Sequence, residues 1–361
     1  MHRILFSALA AALITGCTAP RTERVYIGTK KSSGIYFADL HTGTGNLSRP
    51  QRAVEAESVG FIAIAPDNTH LYSTGVSAFR IHPDGTLEKT GEQKIPEVNS
   101  CHVSTDHTGA MLMTAYYGSG AVASFGINDD GTLTLGSIHK HEGTGEDPKR
   151  QTMPHGHSIY PNPDNTYAYA ADLGIDKIMI YQMDLENGKL IPAGAADVPG
   201  GSMGPRHMKW NGDRLYLLNE LDLSISVFQA LENGQLQFIN TVSMLPEDAD
   251  KTGLTGAEIR MHPNRKFLYT SIRDSSDRHR DSIITFRITP EGLERQNTTL
   301  AQVWYPRNFN IDPTGKWLLV GGQRSCDIAV FSIDTQTGHL SFTGQKMDFP
   351  GEPVCFEFLN G

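Results

Sequence analysis

Short runs of alternating apolar and polar residues, separated by turns rich in Gly, Pro, Asp and Asn, recur along most of the chain. In residues 155–172, HGHSIYPNPDNTYAYAAD, two such runs flank a turn at Pro163-Asp164-Asn165. A period of two with turn residues between the runs predicts antiparallel strands joined by a tight turn. Such a hairpin places the start of its first strand beside the end of its second strand.

The alternating pattern recurs as a unit of four strands. A first strand, a turn and a second strand are followed by a third strand, a turn of the Asn-Gly-x-Leu kind and a short fourth strand. Four strands in roughly 40–60 residues are typical of a propeller blade. Complete units begin near Ser58, Asn99, His155, Gly204, Gly256 and Tyr305.

Two fragments outside these complete units supply one more blade. Residues 23–48 contain a second, third and fourth strand without a first, and residues 353–358, PVCFEF, are a lone first strand. Pairing them closes the ring and removes the exposed sheet edges of an open array. We therefore predict an all-β fold: a single seven-bladed β-propeller over residues 25–361, closed by pairing of its N- and C-terminal strands.

The first residues have the pattern of an export signal. Arg3 supplies positive charge, and the apolar run of residues 4–14 is too short to span a bilayer. The run ends in LITGC, residues 13–17, which resembles a bacterial lipobox. The resemblance implies a signal peptide over residues 1–16, lipid on Cys17, a tether over residues 17–24 and a place in the cell envelope. Thr18 after the cysteine favours the outer membrane.

Composition narrows the partners. A net charge of −9 argues against non-specific nucleic-acid binding, which requires basic patches. The cysteines after the lipobox, Cys101, Cys326 and Cys355, are far apart and match no zinc spacing, so we expect free thiols. We expect no metal and no cofactor.

Alignment of the units on their turns brings charged residues to two equivalent positions. Hairpin geometry places both positions on one face of the disc, around the central channel. Polar groups that converge in a concavity indicate a binding or catalytic site. The position before the inner strand holds Gly60, Asn99, His157, Arg206, Ala257 and Arg307, with Lys30 as a further cation near this ring. The position at the end of the second strand holds Tyr116, Asp172, Glu220, Arg273 and Gln323.

Four consecutive blades resemble the motifs of a known family, the seven-bladed β-propeller lactonases. The family includes bacterial propeller-type 6-phosphogluconolactonases and fungal carboxymuconate cyclases. The resemblance implies that His157, Arg206, Glu220 and Arg273 are catalytic, and all of them belong to the two aligned positions. It rests on HGHSIYPNPDNTYAYAADLGIDKI, GPRHMKWN with LLNELDLSISVF, AEIRMHPNRKFLYTSIRD, and YPRNFNIDPTGKWLLVGGQRSCDIAVF.

The implied reaction is hydrolysis of a lactone. It needs an activated water and a stabilised oxyanion, so either Glu220 or His157 is the expected base and the arginines bind negative charge. The expected substrate is a small-molecule lactone or an anionic sugar acid. Because the chain carries an export signal, a lactone without a phosphate fits at least as well as a phosphorylated one. Beside the catalytic residues we expect substrate contacts from Arg307, Gln323, Asp172 and Tyr116.

Two other functions fit the same residues. A cycloisomerase of the carboxymuconate type would use the His, Glu and Arg groups to hold several carboxylates. A non-catalytic propeller that binds a glycan or a protein would have little need for a candidate base among arginines, since a propeller fold alone does not determine function. The Glu220–His157 pair therefore favours a hydrolase.

Overall fold

The computed structural model describes residues 22–31, 34–276 and 278–359, and all the regular elements in them are β-strands. The strands form seven antiparallel sheets of four strands, as the sequence predicts. We number these blades in the order of the predicted units. The all-β, seven-bladed fold is confirmed.

Blades 1 to 4 follow one another along the chain. Blade 1 comprises β4 (Ile62–Ile64), β5 (His70–Ser73), β6 (Ser77–Ile81) and β7 (Leu87–Glu92). Blade 2 comprises β8 (Ser100–Thr105), β9 (Met111–Tyr116), β10 (Ala121–Ile127) and β11 (Leu133–Lys140). Blade 3 comprises β12 (Gly156–Pro161), β13 (Tyr167–Asp172), β14 (Lys177–Asp184) and β15 (Lys189–Asp197). Blade 4 comprises β16 (Pro205–Asn211), β17 (Arg214–Asn219), β18 (Ser224–Ala230) and β19 (Leu236–Ser243).

Blades 5 to 7 complete the ring. Blade 5 comprises β20 (Leu254–Met261), β21 (Phe267–Asp274), β22 (Ser282–Thr289) and β23 (Gly292–Leu300). Blade 6 comprises β24 (Pro306–Ile311), β25 (Trp317–Gly322), β26 (Asp327–Ile333) and β27 (Leu340–Asp348). Blade 7 joins both ends of the chain and comprises β28 (Glu352–Phe358), β1 (Thr22–Lys30), β2 (Ile35–His41) and β3 (Gln51–Val54).

The predicted closure is confirmed by the pairing of β1 with β28. Val25 lies opposite Phe358, and Gly28 lies opposite Cys355. Strand β1 begins at Thr22, earlier than the predicted propeller boundary, because Thr22 already pairs with His41 on β2. The expected tether is therefore shorter than residues 17–24. The predicted signal peptide, residues 1–16, and the lipid-bearing Cys17 lie outside the described residues.

Hydrophobic side chains pack mainly between neighbouring blades. Between blades 4 and 5, for example, Leu218 and Ile225 form one cluster with Ile259, Ile284 and Phe286. The second strands are buried on both faces, as in β21, where every residue is buried, whereas the outer strands alternate between buried and exposed positions. This arrangement leaves the first strands, which line the central channel, free to carry polar residues.

Candidate active site

β-Bulges on the inner strands deliver several of the predicted site residues. The pairing of the first and second strands slips by one residue at His157 in blade 3, at Arg206 in blade 4 and at Arg307 in blade 6. A bulge leaves one residue without an opposite partner and re-aims its side chain. In blade 2 the bulged residue is Cys101, not the Asn99 that the turn alignment assigns to this position.

Residues at the end of the second strand supply the facing groups. Glu220 follows Asn219, which pairs with Pro205 immediately before the bulge of blade 4. By the same register Arg273 is its equivalent in blade 5, and Tyr117 is its equivalent in blade 2. All three line one cavity with His157 and Arg307.

This cavity is large, with a volume of about 960 Å³, and it is lined by blades 1 to 7 unevenly. The blades 3 to 6 side carries the histidine, the glutamate and most of the arginines, as the sequence predicts. The opposite side presents Ser58, Thr74, Gln93 and Glu97. That opposite side also carries charge, from Lys30, Lys31, Glu92 and Lys94, but His157, Glu220, Arg273 and Arg307 all lie on the blades 3 to 6 side.

Glu220 is the anionic centre of the site. Its Oε2 accepts a hydrogen bond from Arg206 Nε at 2.9 Å and lies 3.1 Å from Arg273 Nη2. Its Oε1 accepts a hydrogen bond from Arg150 Nη2 at 2.8 Å. Burial alone would raise the pKa of this carboxyl, but the attraction of Arg273, Arg206 and the other nearby cations outweighs it and holds the pKa well below its usual value of 4.5. Glu220 is therefore ionised and a weak base.

His157 is a buried, neutral imidazole on the wall of the cavity. It is 4% exposed, and its Nδ1 has no hydrogen-bond partner among the described residues. Burial and the positive charge of Arg206 lower its pKa well below the usual 6.5. A neutral imidazole keeps one ring nitrogen as an acceptor, so His157 can take a proton without first losing one.

Three cations of the cavity form no hydrogen bond or ion pair with the part of the chain that the structure describes. They are Arg307, which is half-buried, and Lys30 and Lys94, which are exposed. Burial and the neighbouring Arg206 and Arg273 lower the pKa of Arg307 to about 10, and the charge of Arg307 in turn lowers the pKa of Lys30. Both groups remain protonated at neutral pH and are available to bind an anion.

Arg206 and Tyr116 are both almost fully buried beside the cavity. Arg206 is 2% exposed and does not line the cavity; its Nη1 donates to the carbonyl of Ala257 while its Nε holds Glu220. Tyr116 lines the cavity but is almost fully buried, with a hydroxyl that has no partner among the described residues. Arg206 is therefore placed to position Glu220 rather than to touch a substrate.

Asp172 and Gln323 do not line the cavity. Asp172 is fully buried, and its carboxylate accepts hydrogen bonds from His155 N at 2.7 Å and Gly174 N at 2.9 Å and lies 2.6 Å from His141 Nδ1. Asp172 pairs with Gly156, so it is equivalent to Asn219 and not to Glu220. A slip of one residue along a strand turns the side chain to the other face.

Gln323 has the correct register but a different partner. Its Nε2 donates to Glu352 Oε2 at 2.9 Å, and Glu352 also pairs with Lys31 at 2.7 Å. Lys31 lines the cavity and Gln323 does not. Gln323 therefore acts on the cavity only indirectly, by holding Glu352, which in turn holds Lys31. Neither Gln323 nor Asp172 is placed to touch a substrate directly, in contrast to the expectation from the sequence.

Arg150 is the main residue that the sequence interpretation missed. It lies in the loop of residues 141–155, between blades 2 and 3, and its Nη2 contacts both Glu220 and the Tyr117 hydroxyl, the latter at 3.3 Å. Asp147 Oδ1 accepts from the backbone N–H of Arg150, which fixes this part of the loop. Alignment of the repeats on their turns cannot identify a residue that lies outside the repeat. The only feature of the sequence that points to Arg150 is the length of this loop, since long loops are often functional.

Three buried histidines meet in the central channel: His157 on the wall of the cavity, and His207 and His102 beyond that wall. The ring of His207 lies 5.3 Å from that of His157 and 5.4 Å from that of His102, between centroids. Burial is the main reason that the pKa of each histidine lies well below 6.5, and neighbouring basic side chains lower each value further. All three imidazoles are therefore neutral in the folded protein.

We expect the protein to lose stability as the pH falls below about 6.5, because each buried imidazole stays neutral while its counterpart in the unfolded chain gains a proton. The unfolded state then binds more protons, so the free energy of unfolding should fall by about 1.4 kcal/mol per pH unit for each histidine, or up to about 4 kcal/mol per pH unit for the three. The low pKa of Glu220 acts only below its unfolded value of 4.5 and does not mask this effect.

Urea unfolding at about pH 7.5 and about pH 5.5 measures this dependence. His102→Gln should reduce the slope by about a third, and the exposed His339→Gln should leave it unchanged. Equal stability of the wild-type protein at both pH values would contradict neutral burial of the three histidines.

No group of three or more His, Cys, Asp or Glu side chains within residues 22–31, 34–276 and 278–359 is arranged to hold a metal ion. The three cysteines in these residues are free, as expected from the sequence: Cys101 and Cys326 are half-buried, and Cys355 is buried.

Comparison with known proteins agrees with this architecture. The family model "Lactonase, 7-bladed beta-propeller" matches residues 17–358. A 6-phosphogluconolactonase from Bacillus subtilis is 31% identical over 93% of this chain and 98% of that protein. A 6-phosphogluconolactonase from Serratia proteamaculans is 33% identical over 88% of this chain and 93% of that protein. A crystal structure from Bacteroides fragilis superposes with a TM-score of 0.83 at 29% identity, covering 93% of this chain and 98% of that one.

The sequence motifs, the ring of seven blades and the family match over nearly the whole chain agree with one another. The protein belongs to the seven-bladed β-propeller lactonase family.

Proposed function

We propose that this protein hydrolyses a sugar lactone in the cavity lined by His157 and Arg307, which we call the upper cavity, and does so at the cell envelope, anchored by lipid on Cys17. The observation that carries the proposal is the combination of a neutral His157 with an Arg307 that forms no ion pair with the described residues, both on the wall of one cavity. The two relatives named 6-phosphogluconolactonase support the sugar-lactone class.

His157 is the proposed general base. Its imidazole takes a proton from a water molecule, and the water oxygen attacks the carbonyl carbon of the lactone. The bond between that carbon and the ring oxygen then breaks, and the departing oxygen takes the proton back from the imidazolium. The product is the open-chain sugar acid, and His157 returns to its neutral form.

Arginines supply the electrostatic stabilisation. Negative charge develops on the carbonyl oxygen during attack, and a fixed guanidinium in a partly buried site stabilises it strongly. Arg307 is the best candidate for this contact because its charge is not compensated by a carboxylate of the described residues. The guanidinium of Arg273, in contrast, already forms an ion pair with Glu220, and it lies 5.0 Å from the centre of the Tyr305 ring.

Glu220 has a supporting role in this mechanism. Without its carboxylate, Arg150, Arg206 and Arg273 would repel one another at close range. With it, the three guanidiniums are held in place. The carboxylate also cancels part of their positive charge, which would otherwise oppose protonation of His157 during the reaction. This is also why the hydrolase fits better than a cycloisomerase that grips several carboxylates: most of the arginines already bind Glu220.

Kinetics with phosphorylated and unphosphorylated lactones can show whether Arg307 binds the substrate phosphate or stabilises the oxyanion. We expect Arg307→Gln to raise KM for a 6-phosphorylated gluconolactone about ten- to a hundredfold if this side chain binds the phosphate, the scale of a hydrogen bond to a charged group. If Arg307 acts on the oxyanion alone, kcat should fall equally for the phosphorylated and unphosphorylated lactones. Initial rates with both substrates measure the difference, and Lys94→Gln, at another cation of the same cavity, is the matched control. Unchanged kinetics with both lactones would remove Arg307 from the mechanism.

None of the described residues forms a helix that could cross a membrane.

The proposed envelope location rests on the lipobox-like sequence that ends in Cys17. Replacing Cys17 with Ser removes the thiol that would carry the lipid, so the protein should move from the membrane fraction to the soluble fraction. Fractionation of cells that produce either form, with an immunoblot, measures this change. Cys101→Ser is the control because that thiol lies inside the propeller. Membrane association that persists in the Cys17→Ser protein would contradict lipid anchoring.

A further inference from the structure

The central channel contains a second, smaller cavity. Its volume is about 190 Å³, and its walls include His102, Tyr160, Lys209, Arg260 and Glu357. Tyr160 and Lys209 follow the bulged residues of their inner strands by three positions. Because a strand rises about 3.3 Å per residue, the second cavity lies roughly 10 Å farther along the channel than the upper cavity. We call it the lower cavity.

An aromatic plug separates the two cavities. Phe61 lines both of them, and its ring packs against His102 at 4.6 Å and against His207 at 5.6 Å, between centroids. His207 is held in turn by Glu258, whose Oε1 lies 3.0 Å from His207 Nδ1. The lower cavity is therefore a separate compartment and not an extension of the proposed active site.

Residues that line this compartment carry hydrogen-bond donors that have no partner in the described part of the chain. The ammonium group of Lys209 lies 4.8 Å from the centre of the Tyr160 ring and forms no hydrogen bond or ion pair with the described residues. Arg260 Nε is buried and has no hydrogen-bond partner among them, since its ion-pair partner Glu258 Oε1 lies 3.9 Å away, beyond hydrogen-bond distance. A buried donor that lacks an acceptor costs about 1–3 kcal/mol, so such groups point to a missing partner.

His102 contributes a third donor. Its Nδ1 accepts a hydrogen bond from the backbone N–H of Ile159 at 3.4 Å. Burial lowers the pKa of His102 well below 6.5, so the ring is neutral and its single proton must lie on Nε2. That Nε2 is buried and has no partner in the described part of the chain.

The carboxylate that lines the lower cavity, Glu357, already accepts hydrogen bonds from other residues. Glu357 Oε1 accepts from Arg260 Nη2 at 2.8 Å, and Glu357 Oε2 accepts from Asn310 Nδ2 at 3.4 Å. Burial and the nearby Arg260 lower the pKa of Lys209 to about 8, and the attraction of Glu258 and Glu357 offsets this only in part. An anion would supply acceptors for the free donors and would favour the charged form of Lys209.

We propose that the lower cavity binds a small oxyanion, the size of inorganic phosphate, between Lys209 Nζ, Arg260 Nε and His102 Nε2. The volume equals that of roughly six water molecules in the liquid, which is enough for a tetrahedral oxyanion with some hydration. The site is distinct from the proposed lactonase site, and its existence does not depend on that activity.

Selenate is a suitable probe because it is a tetrahedral oxyanion that can be located by anomalous scattering. Crystals of the protein grown without sulfate or phosphate and soaked in selenate should show an anomalous peak bounded by these three donors. Lys209→Met keeps the hydrophobic stem of the side chain and removes the charge, so the lower peak should disappear. Lys94→Met, which alters a lysine of the upper cavity, should leave the lower peak in place.

Isothermal titration with selenate measures the same site in solution. Lys209→Met should weaken binding at the lower site by roughly tenfold or more, as expected for loss of a charged donor. Glu357→Gln should have the opposite effect, because it removes the carboxylate that competes for Arg260. A wild-type crystal with no peak in the lower cavity, or a peak that Lys209→Met leaves at full occupancy, would overturn the proposal.

Discussion

Replacing His157 with Asn should lower kcat for lactone hydrolysis by about 10²–10⁴-fold, the scale of lost general-base catalysis. Asn retains a polar side chain of similar reach but cannot accept the proton of the attacking water. The loss should appear in kcat and in kcat/KM alike, because proton transfer contributes only in the transition state. A continuous assay of acid release at saturating lactone measures it.

The matched control is His155→Asn, on the loop that precedes the same strand. The His155 ring stacks on Tyr117 at 4.3 Å, and its Nδ1 lies 2.7 Å from the Tyr117 carbonyl, so it supports the cavity wall without lining the cavity. We expect this variant to retain more than about a tenth of the activity, since no proton-transfer group is lost. If both variants lost activity equally, or if His157→Asn remained fully active, His157 would not be the base.

Replacing Glu220 with Gln should destabilise the folded protein by about 3–5 kcal/mol, the cost of removing one partner from a buried ion pair. Glutamine has nearly the same shape but leaves Arg150, Arg206 and Arg273 without their shared carboxylate. Activity should fall as well, because the guanidiniums lose the group that orients them. Urea unfolding at neutral pH measures the stability change, and kcat for lactone hydrolysis is measured on the folded variant.

Glu92→Gln is the control for this effect. Glu92 lines the same cavity, but it is largely exposed and pairs with Lys89, so its loss should cost no more than about 1 kcal/mol. A Glu220→Gln protein with unchanged stability and a kcat reduced about 100-fold or more would indicate that Glu220 is the base after all. Additional removal of Arg150 should restore part of the stability, because the two residues form one network and their effects do not add.

The repeat made the fold predictable from sequence. The turns and the alternation of apolar residues recur in each blade, and the lone strand near Cys355 has only one place to pair, beside Gly28. Local patterns and global closure therefore specify the same ring. The start of β1 at Thr22 could not be predicted. Thr22, Glu23 and Arg24 are polar, and polar residues occur equally in a tether and at the exposed end of a strand.

The candidate site was predictable only where the register was simple. His157, Arg206 and Arg307 were identified because each precedes the first turn of its blade at a similar spacing, although the β-bulges that re-aim them are not visible in the sequence. Asp172 was misplaced because one residue separates it from the true equivalent of Glu220, and one residue is enough to reverse a strand's faces.

Residues outside the repeat could not be aligned at all. Arg150 reaches Glu220 from a loop whose conformation depends on tertiary contacts, among them the hydrogen bond from Gln151 Nε2 to the carbonyl of Leu173 at 2.8 Å. The donors of the lower cavity were equally hidden, because Lys209, Arg260 and His102 come from separate blades and meet only in the closed ring.

The most direct test of the proposed activity is the initial rate of ring opening for a panel of sugar lactones, with D-glucono-1,5-lactone and its 6-phosphate among them. The wild-type protein should accelerate hydrolysis of at least one lactone with saturation kinetics, and His157→Asn should remove nearly all of that acceleration. A folded wild-type protein that opens no lactone faster than buffer alone would contradict the proposal and would favour a propeller that binds without catalysis.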